Sequence, residues 1–232
     1  MSQQEIPFKI KLGTEVYPIT VKVTINDNEI RITAHVPNNY PRTPVIVKMQ
    51  ESRDFKYLHK GSKTIIACVI FHTNSVELYL RWFFVYMQLY PSLLLPEEKS
   101  GLKGLGRYMA CIAVNLITKN GMYKPTIEVS AGGGRYIKTK LYSLNDSIKI
   151  LKNFRRRYYD DFIKQLRNLN EEHRIEQIIR HASDLENTLK LIDYYSKTFG
   201  FRVKDKKQLN HFYDHLGIEL IVSTDIFLKH CN

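Results

Sequence analysis

Lys99-Ser-Gly-Leu-Lys-Gly-Leu-Gly106, running into Arg107, sets three glycines and two lysines directly before an apolar pattern of helical period. Two readings of such a segment compete. The first turn of a helix has backbone N–H groups without intrahelical partners and the positive end of the macrodipole, so glycines there let a phosphate approach the chain. The plainer reading is a turn in which glycine supplies only the geometry. The glycine order does not fit Gly-x-Gly-x-x-Gly, and no Gly-x-x-x-x-Gly-Lys-Ser/Thr is present, so the dinucleotide fingerprint and the nucleotidase phosphate loop are excluded.

Other chemistry-bearing residues are sparser. His211-Phe-Tyr-Asp-His215 places two imidazoles one helical turn apart, a metal-compatible spacing, but it lacks the glutamate of His-Glu-x-x-His and an obvious third ligand. A surface helix with two histidines is the preferred reading. No Gly-x-Ser-x-Gly elbow occurs, and Cys68 and Cys111 lie inside apolar runs where a structural thiol is expected. Arg155-Arg-Arg-Tyr-Tyr159, followed by Lys164 and Arg167, mixes cations with aromatics as nucleic-acid binders do. The same face also suits an acidic protein, a cofactor's phosphates or plain solvent.

These residues have to be positioned by elements that the periodicity defines. Phe8–Leu12, Ile19–Ile25, Ile30–Val36 and Val45–Met49 alternate apolar and polar with many β-branched residues, which predicts an antiparallel meander with one wet face. Thr64–Phe71 and Val76–Met87 are more continuously apolar, as strands covered on both faces are. A helix is predicted over about Gly106–Lys119, stopped by Asn120-Gly121, and a strand over Pro125–Ser130. From Ser143 to about Leu169, apolar residues at three- and four-residue steps predict one long amphipathic helix, opened by the capping pattern Ser143-Leu-Asn-Asp146. A helix over about Ser183–Lys197, a strand at Gly200–Val203, a helical piece around Leu209–His215 and a final strand Ile218–Val222 complete the chain. The fold class expected is α/β (α+β): a mixed, mostly antiparallel central sheet flanked by helices.

Composition bounds the rest. The 232 residues, 44% hydrophobic, suffice for a sizeable core. The net charge of +12 favours anionic partners without choosing among them. Cys68, Cys111 and Cys231 are an odd count without paired spacing, which predicts buried thiols and an intracellular setting, cytoplasmic or nuclear. No leader pattern opens the sequence, and the most apolar window, Val76–Leu95, contains Glu77, Arg81, Gln88 and Pro91, so no membrane span is expected.

Lys103-Gly-Leu-Gly-Arg107, preceded by Pro96-Glu-Glu-Lys99, resembles the acetyl-CoA-binding motif of the GNAT superfamily of N-acetyltransferases, Arg/Gln-x-x-Gly-x-Gly/Ala. The helix that follows, Asn120-Gly121 and Thr126–Ser130 are similar to that family's next helix and strand. Leu191-Ile-Asp-Tyr-Tyr-Ser-Lys-Thr-Phe-Gly-Phe-Arg-Val203 is similar to its tyrosine-bearing helix and Gly-Phe strand. The chain departs from the pattern at Gly101, where the family has Arg or Gln, and at Tyr195, which precedes Gly200 by five residues and not four. It also inserts Gly132–His181, where the family has a short connection.

The resemblance implies a single GNAT-like domain over residues 1–232. Residues 1–75 would form N-terminal antiparallel strands, 76–131 and 183–232 the acetyl-CoA-binding core, and 132–182 a helical insertion. It implies acetyl transfer from acetyl-CoA to a primary amine of a small molecule or protein. The pyrophosphate would take N–H groups from Leu102, Lys103, Gly104, Leu105, Gly106 and Arg107. Pantetheine would pair with Phe84, Val85 and Tyr86, or with Leu93–Leu95 if the splayed strand is the later run. Tyr195, with Tyr194 as the substitute, would protonate the leaving thiolate; both are equally readable as core aromatics. Glu77 and Glu128 are possible bases, and neither is assigned.

The alternative is a catalytically inactive GNAT-like or RWD-like module that uses its basic surface for nucleic acid or a protein partner, through Arg155, Arg156 and Arg157. The RWD option rests on Tyr40-Pro-Arg-Thr-Pro44, which resembles the Tyr-Pro-x-x-Pro turn of ubiquitin-conjugating enzymes and their inactive relatives; no cysteine follows between Asn74 and Gly104.

Overall fold

Alternation of β-branched residues does set the first part of the chain. In the computed structural model, which describes residues 2–12, 14–26, 28–38, 40, 65–74, 77–85, 104–119, 121, 123–132, 142–210 and 217–232, strands β1 (Ser2–Leu12), β2 (Glu15–Ile25) and β3 (Glu29–His35) form the antiparallel meander. Ile19, Val21 and Val23 of β2 are buried while the residues between them are partly open, the one-faced pattern expected of such a sheet. Both prolines lie where a missing N–H costs little. Pro7 is in the outermost strand, and Pro18 of β2 lies before pairing with β3 begins at Thr20.

β4 (Ile65–Thr73) and β5 (Glu77–Val85) continue the sheet in the order β1-β2-β3-β4-β5, each pair antiparallel. β4 is buried from Ile65 through Phe71 on both faces, as its unbroken apolar run predicts. Helix α1 (Leu105–Lys119) packs against β3, β4 and β5 and buries Met109, Ala110, Ala113, Val114 and Ile117. Its 3- and 4-residue apolar spacing is the reason it presents one continuous face to the sheet.

The chain divides into two compact units, Met1–Ile127 with Cys231–Asn232, and Glu128–His230. β6 (Thr126–Ala131) runs from the end of the first into the second. The second unit then contains α2 (Leu144–Phe154), α3 (Arg156–Gln165), a 3₁₀ turn (Leu166–Asn168), α4 (Glu171–Phe199), β7 (Arg202–Val203), a second 3₁₀ turn (Lys206–Asn210), β8 (Ile218–Ser223) and most of α5 (Thr224–Cys231). Its strands lie in the order β6-β8-β7, with β7 and β8 antiparallel. Ile218, Leu220 and Val222 of β8 are buried in alternation, and Phe199 stacks on Phe227 with ring centroids 4.8 Å apart. The fold class is therefore α+β with a mixed, mostly antiparallel sheet and helices, as the periodicity predicts.

Four expectations need correction. The long helix over 143–169 is two helices: Ser143 does cap α2, accepting from the Asp146 N–H at 3.1 Å, but Arg155 adopts φ −164° and ψ 127°. That extended residue ends α2, its N–H bonding to Leu151 O, and precedes the first residue of α3. The helix expected from Ser183 begins at Glu171, where Asn170 caps it by accepting from the His173 N–H at 2.9 Å. α5 follows β8 without any interval and was not expected at all. Finally, Cys111 and Cys231 are joined in a disulfide, Cα atoms 5.6 Å apart, and only Cys68 is free. The cysteine count thus loses its force as an argument for a reducing compartment. The expected strand Val45–Met49, the Tyr-Pro-x-x-Pro turn from Pro41 on, and His211–His215 lie outside the described residues.

Candidate functional site

Gly104 has φ +85°, a backbone conformation that residues with a Cβ rarely adopt, and its carbonyl accepts the first bond of α1 from the Tyr108 N–H at 2.9 Å. A Cβ placed on Gly104 would meet no described atom within 4 Å, so its φ, and not a close approach, is what favours glycine there. Leu105 and Gly106 are buried in the first turn, while Arg107 is exposed. No acidic residue stands in that turn. The positive end of the macrodipole is therefore offset by no carboxylate of the turn itself.

The other residues expected to hold a cofactor divide into two sets. Phe84 and Val85 end β5, opposite Cys68 and Ala67. Tyr86, Leu102 and Lys103 lie outside the described residues, as do Gly101 and Leu93–Leu95.

Tyr194 and Tyr195 occupy the last turns of α4, in the second unit. Gly200, φ +79°, ends that helix: its N–H bonds to Ser196 O at 2.9 Å, and the Phe201 N–H reaches Tyr195 O at 3.4 Å. This cap folds the following chain back, so that Phe201 meets Tyr195 edge-on at 5.7 Å. Tyr195 is 6% exposed and also lies against Tyr194 and Phe199, whereas Tyr194 is half-buried. An aromatic cluster of this kind stabilises by packing, and it is what the core reading of these tyrosines predicts.

Of the two carboxylates considered as bases, Glu128 is 5% exposed on β6 and its Oε1 is paired with Lys204 Nζ at 2.5 Å. That oxygen is already engaged by a cation of the same unit. Glu77 is the first residue of β5. Burial pushes the Cys68 thiol up to about 12, so it is an inert core group rather than a nucleophile.

Two features escaped the sequence reading. Helices α2 and α4 bound a cleft of about 470 Å³ lined by Tyr142, Asp146, Lys149, Ile150, Asn153 and Glu186. Much of its polar wall is engaged internally, since Tyr142 donates to Glu186, Lys190 lies 3.3 Å from that carboxylate, and Asp146 accepts from Ser143. His181 on α4 stacks on Phe162 at 4.2 Å and shares a hydrogen bond with the Tyr158 hydroxyl through Nε2. Burial drives its pKa down to about 4, so it is neutral at pH 7 and acts as an aromatic wedge under α3. Among the described residues no group of three or more His, Cys, Asp or Glu side chains could hold a metal ion. Nor is any helix long and apolar enough to cross a membrane.

No protein family model, no curated protein and no solved structure matches the chain.

Proposed function

We propose that the chain is an N-acetyltransferase that moves an acetyl group from acetyl-CoA to a primary amine of a small molecule or protein. The observation that carries this reading is the entrance of α1: a left-handed glycine, no acid in the first turn, and an exposed Arg107. A pyrophosphate suits a helix start of this kind, because backbone N–H groups and the macrodipole favour an anion there and no acid of the turn opposes it. Gly104, Leu105, Gly106 and Arg107 would hold it, with Leu102 and Lys103 preceding them, and Phe84, Val85 and Tyr86 would lie along the pantetheine.

Acetyl-CoA supplies an acetyl thioester activated toward an amine. The chain's own tasks are to bind it, to accept the proton that the ammonium loses, and to protonate the departing thiolate at a phenol. Tyr194 is the more open of the two tyrosines and Tyr195 the other candidate for that phenol. With Glu128 engaged by Lys204, the base is left to Glu77 or to water. Because acetyl-CoA is made and kept inside cells, the reading carries an intracellular setting, cytoplasmic or nuclear.

A second reading has its own observation. Tyr195 is a packed core residue and Gly101 lacks the family's basic or amide side chain, both of which suit a GNAT-like module that binds without catalysing.

Calorimetric titration of acetyl-CoA and CoA separates the readings. The parent protein should bind both, and Arg107→Glu, at an exposed site, should weaken binding about 10-fold by placing an anion in the first turn. Absence of binding by the parent sinks the transferase reading. Binding without turnover on a panel of primary amines selects the inactive module.

A further inference from the structure

Around the break at Arg155, exposed cations stand on both α2 and α3. Residues 147–170 contain seven lysines and arginines against two acids, Asp160 and Asp161. Lys149, Lys152, Arg155, Arg156, Arg157 and Arg167 are all exposed. Lys164 is paired with Asp161 at 3.1 Å, but among the described residues neither Arg156 nor Arg157 forms an ion pair.

This arrangement does not serve the helices that carry it. Arg155, Arg156 and Arg157 stand at the start of α3, where the macrodipole is positive and no acid sits in the first turn, so each charge opposes helix formation. Beneath them the face is firmly mounted: Phe154 meets Tyr158 edge-on at 5.3 Å, and Tyr158 and Phe162 both stack on His181. Across the break, Lys152 Nζ lies 5.0 Å from the Tyr159 ring, so a half-buried aromatic is set among the cations.

We infer that this face of α2 and α3 binds the sugar-phosphate backbone of nucleic acid, independently of sequence. Charge complementarity names the occupant class, and the lack of an apolar centre narrows it. Within residues 147–170 the one exposed large hydrophobic side chain is Leu169, at the end of the segment beyond the arginines, whereas a protein interface is built around a desolvated apolar or aromatic core. A phosphate chain needs only spaced cations, and Tyr159 offers a ring on which a base can stack. The inference does not rest on the acetyltransferase reading.

The test uses the full chain and fluorescence anisotropy with labelled 30-mers of single-stranded RNA, single-stranded DNA and duplex DNA over a salt series. The wild type should bind at low salt with a steep negative dependence of log K on log salt. Arg156→Ala with Arg157→Ala should weaken binding about 10-fold or more and flatten the slope by about 1.5, the loss of two phosphate contacts. The same double variant should melt no lower than the wild type, since it removes unfavourable charge at a helix start. A control pair on other elements, Lys197→Ala with Lys206→Ala, should leave the slope unchanged. The inference is overturned if the wild type binds no nucleic acid near 50 mM salt or if the slope is the same in the double variant. It is overturned equally if poly-glutamate or anionic vesicles compete as well as nucleic acid does at equal charge. Displacement by acetyl-CoA at equal phosphate would overturn it too, by assigning the face to that ligand.

Discussion

Replacing Cys231 by serine tests the nonlocal closure that the sequence least foretells. The bond to Cys111 spans 120 residues, a loop that takes in the whole second unit along the chain. Cross-linking a loop of this length removes roughly 16 cal/mol/K from the unfolded chain, about 5 kcal/mol at 25 °C on the chain-entropy account. Measured losses from removing native disulfides run about 2–5 kcal/mol, so a loss near 3 kcal/mol is the working figure. For a chain of this size 1 kcal/mol moves Tm by about 2–4 °C, which puts Cys231→Ser about 10 °C below the oxidised wild type. Cys231 is the better of the two positions to change, because Cys111 is buried in α1 and its replacement would add a packing loss. Calorimetric scans with and without reductant read the effect. Reductant should bring the wild type down to the variant and leave the variant where it is. A thiol titration of the denatured, unreduced protein should find one free group, Cys68. Three reactive thiols, or equal melting of oxidised wild type and variant, would refute the closure.

The remaining expectations concern single groups. His181 is held near pKa 4 by burial, below the 6.5 of an open imidazole, so the unfolded chain takes up a proton that the fold resists. The stabilisation is complete above pH 6.5 and is lost as pH falls toward 4; against His181→Gln, urea titrations should show the wild type losing up to about 3 kcal/mol across that window. A flat difference between the two proteins would remove the buried-imidazole account. Two glycines with positive φ should respond differently to alanine. Gly104→Ala has only backbone strain to bear, about 1–2 kcal/mol. Gly200→Ala adds a Cβ 2.8 Å from Ile226 Cγ2 and 2.9 Å from His230 Nε2, and should cost measurably more in the same urea titration. Ser143→Ala removes the cap of α2 and should lower stability by about 1 kcal/mol, while Ser143→Asp should restore it.

Which of these groups could be found in the sequence follows from how far away their partners are. The strands through β5 were legible because their signal is local: in β2 and β3 β-branched residues alternate over seven positions, where a one-residue slip would turn every apolar side chain outward, and β4 and β5 are unbroken apolar runs. α1 was legible for the same reason, since its buried face repeats at three and four residues and Gly104 and Gly121 bracket it. The break at Arg155 was not legible because the apolar series Leu151, Phe154, Tyr158, Phe162 keeps its spacing across it. A single extended residue leaves no trace in periodicity, and Arg has no intrinsic reason to stop a helix. The first turns of α4 were missed because Glu171–Arg180 is mostly polar. Their helicity comes from the Asn170 cap and the packing of Ile178 and His181.

The candidate site divides along the same line. The positive φ of Gly104 at the α1 entrance is a property of its own few residues, and a glycine-rich turn before a helix is visible in the sequence. The environment of Tyr195 is made by Phe199 beside it and by Phe201 beyond the Gly200 cap, and that of Glu128 by Lys204, which is brought to β6 only when β7 and β8 pair in the second unit. A tyrosine chosen for its distance from a glycine therefore proves to be a core residue, and a carboxylate chosen for its strand proves to be half of an ion pair. The basic face shows the converse. Its three consecutive arginines are plain in the sequence, but the helix break that exposes all three, and the charge cost they impose on the start of α3, exist only in the fold. A set of charges that a helix bears at a loss is the feature of this chain that most needs a partner to account for it.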